Sequence, residues 1–316
     1  MNTAQTTENT AVFVPDIDPF YVETKYYKQV KNIVEKAGSM FYTAYVKGHK
    51  GCGKTLTIRQ VCAQLKRPYC EFQITPNMLA EDYIGSKMIV NHETIFQESS
   101  LVTAMRLGAV LNLDEFDKAD GSVLELQNIL EGRGVLIKKT GEYVKPKAGF
   151  CIFATANTLG RGLENDLYTT SQILDASTLD RFKEFIDAEY ISPEKEAEAL
   201  TRYCANHSVN FSSDDIISLA KWAKDLRASF ENQTNDDLVS TRGLFNIVQI
   251  AFMHNYNVKT SVAAYLTRFR PDVRIAFTNV FNSIHTVNSA MSDSGRANPS
   301  STLPNNVNPA NPFNLS

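Results

Sequence analysis

The amino-acid sequence predicts an α/β domain built on a parallel sheet, followed by a smaller domain that contains only helices. From about residue 41 to residue 190, apolar runs with strand character alternate with helical patterns, which is typical of a parallel sheet flanked by helices. Only helical patterns follow residue 190. A glycine-rich loop follows the first of these runs and precedes a helix, and loops of this kind bind phosphate.

Five apolar runs supply the predicted strands of the sheet. They cover residues 41–47, 69–75, 109–115, 151–157 and 182–188. Helical patterns lie between them, and two of these cover residues 55–65 and 123–130. Two further short runs, joined by a turn near Thr140 and Gly141, predict a β-hairpin over residues 134–147.

The helical domain opens with a start signal at residues 192–194. Ser, Pro and Glu at these positions supply an N-cap, a proline at the first helical position and an acid in the first turn. An apolar stripe over residues 216–226 predicts the next helix. Two more helices are expected over residues 241–256 and 261–281, the second interrupted near Pro271.

These patterns divide the chain into four sections. They predict a flexible N-terminus over 1–19, an α/β nucleotide-binding domain over 20–190, a helical lid domain over 191–286 and a disordered tail over 287–316. The tail is rich in Asn, Ser and Pro and has few apolar side chains to pack. Hydrophobic residues make up 43% of the 316 residues, which allows a sizeable core and excludes mostly disordered, collagen-like and disulfide-dense chains.

Charge and cysteine usage restrict the class of protein further. The formal net charge is −3, so the chain lacks the positive excess of a protein that coats nucleic acid, although a local basic groove stays open. No apolar run approaches the ~20 residues of a membrane span, and residues 1–10 lack the apolar stretch of a signal peptide. The five cysteines form no CxxC pair, so we expect reduced, mostly buried cysteines in a cytoplasmic protein.

The strongest motif in the sequence matches the pattern GxxxxGK[ST] between a strand and a helix. Its glycines let the backbone wrap closely around phosphate, and the N–H groups of the loop and of the helix N-terminus point inward. Lys54 is expected to reach the β- and γ-phosphates of ATP, and Thr55 to ligate Mg²⁺. The predicted nucleotide-binding residues of this loop are Gly48, His49, Lys50, Gly51, Cys52, Gly53, Lys54 and Thr55.

A second element is the apolar run that ends in Asp114 and Glu115. Adjacent strand residues point to opposite sides, so the two carboxylates are expected to have different roles. Asp114 would hold Mg²⁺, and Glu115 would polarise the attacking water. Without the glycine-rich loop, two solvated acids at a strand end would explain this pair equally well.

Three more residues are candidates for phosphate chemistry. Asn157 ends another strand, where an amide can orient water, although it also suits the cap of a turn. Arg181 precedes the last strand, and its guanidinium could neutralise charge on a transferred phosphoryl group or simply pair with Asp180. Arg242 opens a helix of the second domain and either reaches across to the phosphates or lies exposed.

Taken together, the order of these elements resembles that of the AAA+ ATPases across about residues 20–285. The resemblance implies a phosphate-loop AAA+ core with a C-terminal all-helical lid. It implies that Asn157 is the sensor-1 residue, Arg181 the arginine finger and Arg242 the sensor-2 residue. It also implies a ring, usually of six subunits, in which ATP lies at each interface and the finger acts on the neighbour's ATP.

Finer features resemble one group of these ATPases, the MoxR-type and chelatase-type members. Residues 75–85 are similar to their segment after the second core strand, and residues 99–108 to the helix before the Asp-Glu strand. The segment 86–97 lies where these members carry an insertion. Together with the hairpin over 134–147, the resemblance implies that this insertion faces the pore of the ring.

Within that group the chain resembles the CobS subunit of aerobic cobaltochelatase. Residues 114–117, Asp-Glu-Phe-Asp, are similar to Asp-Glu-Tyr-Asp in CobS, and residues 153–160 and the spacing over 167–181 match it closely. Two features depart from CobS. Residues 169–171 read Thr-Thr-Ser where CobS usually has His-Gly-Thr, and Phe182 stands where CobS usually has Trp.

This resemblance implies an ATPase motor for cobalt insertion into a corrin ring in cobalamin biosynthesis. The implied partners are a CobT-like adaptor with a metal-ion-dependent adhesion domain and a large chelatase subunit. A MoxR-like ATPase that remodels another protein and a nucleic-acid-associated ring are the alternatives. The near-neutral charge argues against nucleic acid. The scattered histidines form no cobalt ligand set, and they are His49, His92, His207, His254 and His285.

Overall fold

The structure of the protein is a computed structural model that describes residues 11–157, 176–232, 234 and 237–296. The expected flexible start over residues 1–10 and most of the predicted tail lie outside the described residues. So do residues 158–175, which carry part of the resemblance to CobS.

The described residues form the following elements. The strands are β1 (Val12–Phe13), β2 (Thr43–Lys47), β3 (Tyr69–Gln73), β4 (Gly85–Val90), β5 (Glu93–Glu98), β6 (Val110–Asp114), β7 (Val135–Ile137), β8 (Glu142–Val144), β9 (Cys151–Ala156) and β10 (Glu184–Asp187). The helices are α1 (Tyr27–Lys36), α2 (Lys54–Gln64), α3 (Ala80–Ile84), α4 (Ser100–Leu107), α5 (Gln127–Leu130), α6 (Ala176–Leu179), α7 (Pro193–Asn206), α8 (Ser213–Glu231), α9 (Thr241–His254), α10 (Val258–Leu266) and α11 (Pro271–Arg296).

The main sheet has the strand order β1-β3-β6-β9-β2-β10. All of its pairs are parallel except β1 with β3. The central β9 is buried along its whole length, because helices cover both faces of the sheet, and all of its residues except Thr155 are apolar. Helices α1 and α2 pack on one face, and α4 and α5 on the other. The predicted parallel sheet flanked by helices is confirmed.

Parallel register brings three strand ends to one edge of the sheet. Lys47 at the end of β2 pairs with Ala156 at the end of β9, and Asp114 at the end of β6 pairs with Gln73. Segments that follow these strands therefore lie next to one another, and in open α/β sheets this edge is where ligands bind.

The prediction of a flexible N-terminus over residues 1–19 is wrong for residues 11–19. Val12 and Phe13 form an edge strand opposite Cys70 and Tyr69, and the Phe13 ring packs edge-on against the Tyr69 ring at 6.0 Å. Farther along, the backbone N–H of Asp18 donates to the side chain of Gln60 at 2.9 Å. Two apolar residues are too short a run to mark a strand by pattern alone, and pairing with β3 stabilises them.

Helix boundaries follow the predicted start and stop signals in several places. Ser192 accepts a hydrogen bond from the N–H of Lys195 and caps α7, as its Ser-Pro-Glu sequence predicts. Ser99 caps α4, which ends at Gly108 with a φ of 70°. The pattern over 123–130 is only partly α-helical, because a 3₁₀ turn covers Gly121–Leu126 before α5 begins.

The helical domain packs around Trp222 of α8. Its side chain is fully buried, its indole N–H donates to the carbonyl of Phe277 at 3.0 Å, and its ring lies 5.5 Å from the ring of Phe281. The predicted break near Pro271 separates α10 from α11. Helix α11 then continues to Arg296, so the start of the predicted tail at residue 287 is wrong within the described part of the chain. Apolar side chains of its first turns, Val273, Phe277 and Phe281, pack in the same core cluster as Trp222 of α8.

Two antiparallel hairpins project from the α/β domain, β4 with β5 and β7 with β8. Arg106 of α4 connects them. Its Nε lies 2.9 Å from Glu98 of β5, and its Nη1 and Nη2 lie 2.7 and 2.6 Å from the carboxylate of Glu142 in β8.

Within the described residues, no helix combines the length and apolar character needed to cross a membrane. All five cysteines are buried and free, as predicted.

Phe281→Ala tests the packing of α11 on α8. Phe281 is buried, so its loss leaves a cavity beside Trp222, and we expect the free energy of unfolding of the helical domain to fall by about 3–5 kcal/mol. Trp222 is the sole tryptophan in the chain, so its fluorescence in a denaturant titration reports on this domain. The matched control is Ile275→Ala on the same helix, where the side chain is 63% exposed. Equal midpoints for both variants would contradict the packing described.

Candidate functional site

The glycine-rich loop runs from the end of β2 to the first turn of α2, at the edge where the strands of the sheet end. Gly51 and Gly53 have φ angles of 73° and 93°, a region that other residues rarely adopt. A Cβ on Gly51 would also lie 2.7 Å from the Cβ of Ser240, so this position excludes a side chain. The helical domain therefore rests directly on the loop.

Lys54 turns its ammonium back over the loop. Its Nζ donates to the carbonyls of Gly48 and His49 at 2.6 and 3.0 Å and to Oδ1 of Asn157 at 3.1 Å. Burial lowers the pKa of this ammonium and Arg242 lowers it further, whereas the nearby Asp114 raises it. Lys54 and Asn157 are far apart in sequence, and their contact brings two of the predicted site residues together.

Asp114 lies beside the first helical turn after the loop. Its Oδ1 accepts a hydrogen bond from Oγ1 of Thr55 at 3.0 Å and another from Oγ1 of Thr155. A carboxylate next to a hydroxyl is a set of hard oxygen ligands, which suits Mg²⁺. The residues predicted to hold Mg²⁺ are thus adjacent in the fold and chemically suited to it. Sequence reasoning missed Thr155, because a threonine inside a buried strand carries no motif.

Glu115 is not part of the strand, contrary to the range predicted from the sequence. The strand ends at Asp114, and Glu115 adopts a left-handed conformation with φ 55° and ψ 41°. Its carboxylate accepts hydrogen bonds from Gln73 at 2.5 Å and from Lys118 at 2.6 Å. The two acids have different neighbours, as predicted. The cause is the left-handed backbone at Glu115, whereas the prediction was based on the alternation of side chains along a strand.

Asn157 follows the end of β9, where its backbone N–H donates to Asp117 at 3.1 Å. Asp117 is almost fully buried, so this contact fixes the start of the segment that leaves the strand. The side-chain amide of Asn157 is thereby presented to Lys54. An orienting role for this amide fits its position better than a simple turn cap.

Arg181 lies elsewhere in the molecule. Its carbonyl accepts a hydrogen bond from Thr43, the first residue of β2, whereas the glycine-rich loop follows the last residue of that strand. A strand of this length separates the two by about 13 Å at roughly 3.3 Å per residue. The guanidinium bonds to Glu131 at 2.9 Å and to the carbonyl of Ser177. The predicted pairing of Arg181 with Asp180 is not found.

Arg242 does reach the loop. It lies in the first turn of α9, its Cβ would be 3.4 Å from a Cβ on Gly51, and it lines the same cavity as Lys54. This cavity has a volume of about 410 Å³ and lies between the two domains. Arg242 is exposed, as one of the two interpretations expected, and it also lines the cavity.

The other end of the cavity is made of residues that sequence reasoning missed. Aromatic side chains dominate it, together with amides of α9, and examples are Phe20, Tyr21, Tyr203, Phe245 and Gln249. The rings of Phe20 and Tyr203 pack edge-on at 4.9 Å. A purine base can stack against such surfaces. These residues come from both domains and have no fixed spacing, so no pattern could have identified them.

His49 and Cys52 serve the loop mainly by packing. His49 lies nearly parallel to the Tyr190 ring at 6.5 Å and edge-on to the Phe230 ring at 5.3 Å, and burial lowers its pKa. Cys52 is buried, and burial raises the pKa of its thiol. A protonated thiol is a poor nucleophile, so Cys52 acts as a small apolar residue.

A glycine-rich loop with a lysine, a carboxylate beside a hydroxyl and a helical lid at the edge of a parallel sheet define a phosphate-loop nucleoside triphosphatase. Residues 44–182 match the family described as AAA domain (dynein-related subfamily). The predicted AAA+ fold is confirmed, and the match to this family together with the curated relatives supports ATP hydrolysis, as the order of the motifs predicts.

Known proteins support this assignment. The chain is 26% identical over 237 residues to the aerobic cobaltochelatase subunit CobS of Sinorhizobium sp, which covers 73% of this chain and 70% of CobS. It is 29% identical over 212 residues to protein NorQ of Paracoccus denitrificans (strain Pd 1222), and the match covers 66% of this chain and 73% of NorQ. The fold resembles the crystal structure of the FIGL-1 AAA domain in complex with ADP, with a TM-score of 0.52 and 14% identity over 90% of this chain and 92% of that one. The curated relatives are AAA+ ATPases of the MoxR group, which agrees with the resemblance that the sequence predicts.

Lys54→Ala is expected to abolish tight ATP binding. The substitution removes the buried ammonium that contacts both the loop carbonyls and Asn157, and with it the charge that would meet the phosphates. Calorimetry with ATP measures the affinity directly. The matched control is Lys31→Ala, because Lys31 lies on α1 and pairs with Glu35 away from the cavity. Unchanged affinity in Lys54→Ala would reject the phosphate-binding assignment.

Proposed function

We propose that this ATPase is the motor of a cobaltochelatase-like complex and that the cavity between its domains is where ATP is bound and hydrolysed. The observation that carries the catalytic part is the convergence of Lys54, Thr55, Asp114 and Asn157 at one end of that cavity. The aromatic residues at the other end suit the adenine base. Loop residues 48–55 would surround the phosphates with N–H groups.

Thr55 and Asp114 would hold Mg²⁺, since their oxygens lie 3.0 Å apart at the start of α2. The chemistry that Mg²⁺ would supply there is positive charge to offset the negative charge that develops on the phosphoryl group. Glu115 would take the proton of the attacking water, because it lines the same cavity as Lys54 and Asp114. Its bonds to Gln73 and Lys118 would have to loosen for that step. Asn157 would orient the water, and Arg242 would add a second cation from the lid.

Arg181 would act on the ATP of a neighbouring subunit. Its position at the far end of β2 prevents it from reaching the phosphates of its own subunit without a large movement. A guanidinium supplied across an interface requires an assembly, so we propose a homo-oligomeric ring, most simply of six subunits. The exposed apolar residues of the β4–β5 hairpin, among them Met88 and Ile89, would then contact the client in the pore.

The similarity to CobS supports the cobaltochelatase part of the proposal. In the proposed complex, a CobT-like adaptor with a metal-ion-dependent adhesion domain would dock on the ring, and a large chelatase subunit would insert cobalt. A second candidate is a MoxR-like ATPase that remodels another protein, and the match to NorQ at 29% identity favours it. The departures from CobS at residues 169–171 and Phe182 bear on the partner and not on ATP hydrolysis.

The two candidates differ in their partners, so affinity capture distinguishes them. Tagged full-length chain would be expressed in its native host as the Glu115→Gln variant, which is expected to remain loaded with ATP. Recovery of an adaptor with an adhesion domain together with a large chelatase subunit supports the cobaltochelatase motor. An adaptor without a chelatase subunit supports the remodelling ATPase, and recovery of neither rejects both.

Glu115→Gln is expected to keep ATP binding and lose turnover by about a hundredfold or more. The amide preserves the shape of the side chain and removes the base that activates water. Steady-state phosphate release and ATP affinity are the two measurements. Glu125→Gln is the matched control, since Glu125 is exposed on the 3₁₀ turn that follows. A turnover within a few-fold of the parent would show that Glu115 is not the base.

Arg181→Ala is expected to bind ATP normally and to hydrolyse it on the order of 10³-fold more slowly. A role across the interface also predicts rescue by mixing with Glu115→Gln. Mixed rings contain interfaces where an intact ATP site of one subunit meets an intact arginine of the other, and neither pure variant does. ATPase activity in the mixture should therefore exceed the sum of the two parts.

A mixture that stays inactive while native mass spectrometry detects mixed rings would contradict this role. Arg181 would then act within its own subunit or only structurally. Arg133 is the next candidate, because it shares the carboxylate of Glu131 with Arg181 and is largely exposed. Arg161, the other candidate, lies outside the described residues.

A further inference from the structure

The helical domain contains a buried ion pair between Glu196 of α7 and Arg227 of α8. The two side chains form a bidentate contact, with Nη1–Oε2 and Nη2–Oε1 distances of 3.1 and 2.9 Å, and they are 0% and 7% exposed. Nε of Arg227 also donates to the carbonyl of Val239 at 2.8 Å. Desolvation offsets much of the attraction in such a pair, so its main effect is to fix geometry.

Tyr190 lies between the Arg227 guanidinium and the phosphate loop and contacts both. The guanidinium carbon lies 3.9 Å from the centroid of the Tyr190 ring, a cation–π contact. The hydroxyl of Tyr190 donates to the carbonyl of Lys50 at 2.7 Å. Lys50 is inside the phosphate loop, so one ring connects the buried pair to the loop backbone.

The same ion pair reaches the loop by a second route. The Thr241 hydroxyl donates to Oε1 of Glu196, which holds the first turn of α9 against α7. Ser240, the N-cap of that helix, contacts Gly51 so closely that a side chain there is excluded. Residues 50 and 51 of the loop are therefore held by two contacts that both originate at the Glu196–Arg227 pair.

We propose that Tyr190 is a positioning residue for nucleotide binding, through which the Glu196–Arg227 pair holds the phosphate loop in its binding conformation. A hydrogen bond on the Lys50 carbonyl keeps that oxygen turned away from the cavity. If the peptide turned over, a carbonyl would replace an N–H among the groups that face phosphate, and the partial negative charge of its oxygen would repel the phosphate. The inference rests on the proposed phosphate-binding role of residues 48–55.

Tyr190→Phe in the full-length chain is the test, because it keeps the ring and removes only the hydroxyl. Loss of one neutral hydrogen bond should weaken ADP binding about fivefold, and adenosine, which has no phosphate, should bind as before. The matched control is Tyr42→Phe, whose hydroxyl contacts Glu184 at 3.3 Å and is not part of the cavity. Calorimetry gives the ADP affinities, and competition gives those for adenosine.

A double-mutant cycle tests whether Arg227 acts through Tyr190. Arg227→Lys keeps the charge opposite Glu196 but removes the planar face over the ring. We expect it to weaken ADP binding by a similar factor and to add little in the Tyr190→Phe background, since coupled residues are not additive. Independent, additive losses would overturn the proposed route. If Arg227→Lys does not fold, the Tyr190→Phe measurement alone still decides the role of Tyr190.

The outcomes separate this inference from the proposed function. If Lys54→Ala leaves ADP affinity unchanged, the phosphate-loop assignment itself fails. If Lys54→Ala weakens ADP binding while Tyr190→Phe behaves like Tyr42→Phe, only the role of Tyr190 fails. Equal losses for ADP and adenosine in Tyr190→Phe would also overturn the inference, because they would connect Tyr190 to the base and not to the phosphates.

Discussion

The parallel pairing of β6 with β9 and of β9 with β2 is the constraint on which the rest of the structure depends. It forces three strands to end at the same edge, and the residues that follow them become neighbours across long stretches of sequence. Thr55 contacts Asp114, which is 59 residues away in the sequence, and Lys54 contacts Asn157, which is 103 residues away. A shift in register along one strand would separate these groups, so the sheet sets the precision of the site.

The helical domain completes the site by an interaction of a different kind. Its direct contact with the loop is made at the start of α9, and its buried ion pair also reaches the loop through Tyr190, which precedes the helical domain. The α/β domain thus supplies the reacting groups, whereas the helical domain supplies one wall of the cavity and constrains the loop. Relative movement of the two domains would change the shape of the cavity and the restraint on the loop together.

The sequence predicted those parts of the molecule that local chemistry dictates. The phosphate loop and the cap of α7 depend on residue types at fixed short spacing, and the structure has them where expected. The cavity wall at Phe20 and Tyr203 was not predictable, because stacking surfaces need only an aromatic ring and not a defined spacing. The end of β6 at Asp114 was also missed. Apolar periodicity does not report the left-handed turn at Glu115, which depends on tertiary contacts.

Arg106 gives the two projecting hairpins a common mechanical anchor. A two-stranded ribbon is at best marginally stable alone, and here one guanidinium contacts Glu98 at the base of β4–β5 and Glu142 at the turn end of β7–β8. Arg106 belongs to α4, so both hairpins are connected to that helix through one side chain. That helix leads directly into β6, the strand that ends in Asp114. The two hairpins and the carboxylate edge of the sheet are thus connected through a single residue, Arg106, and the helix that carries it.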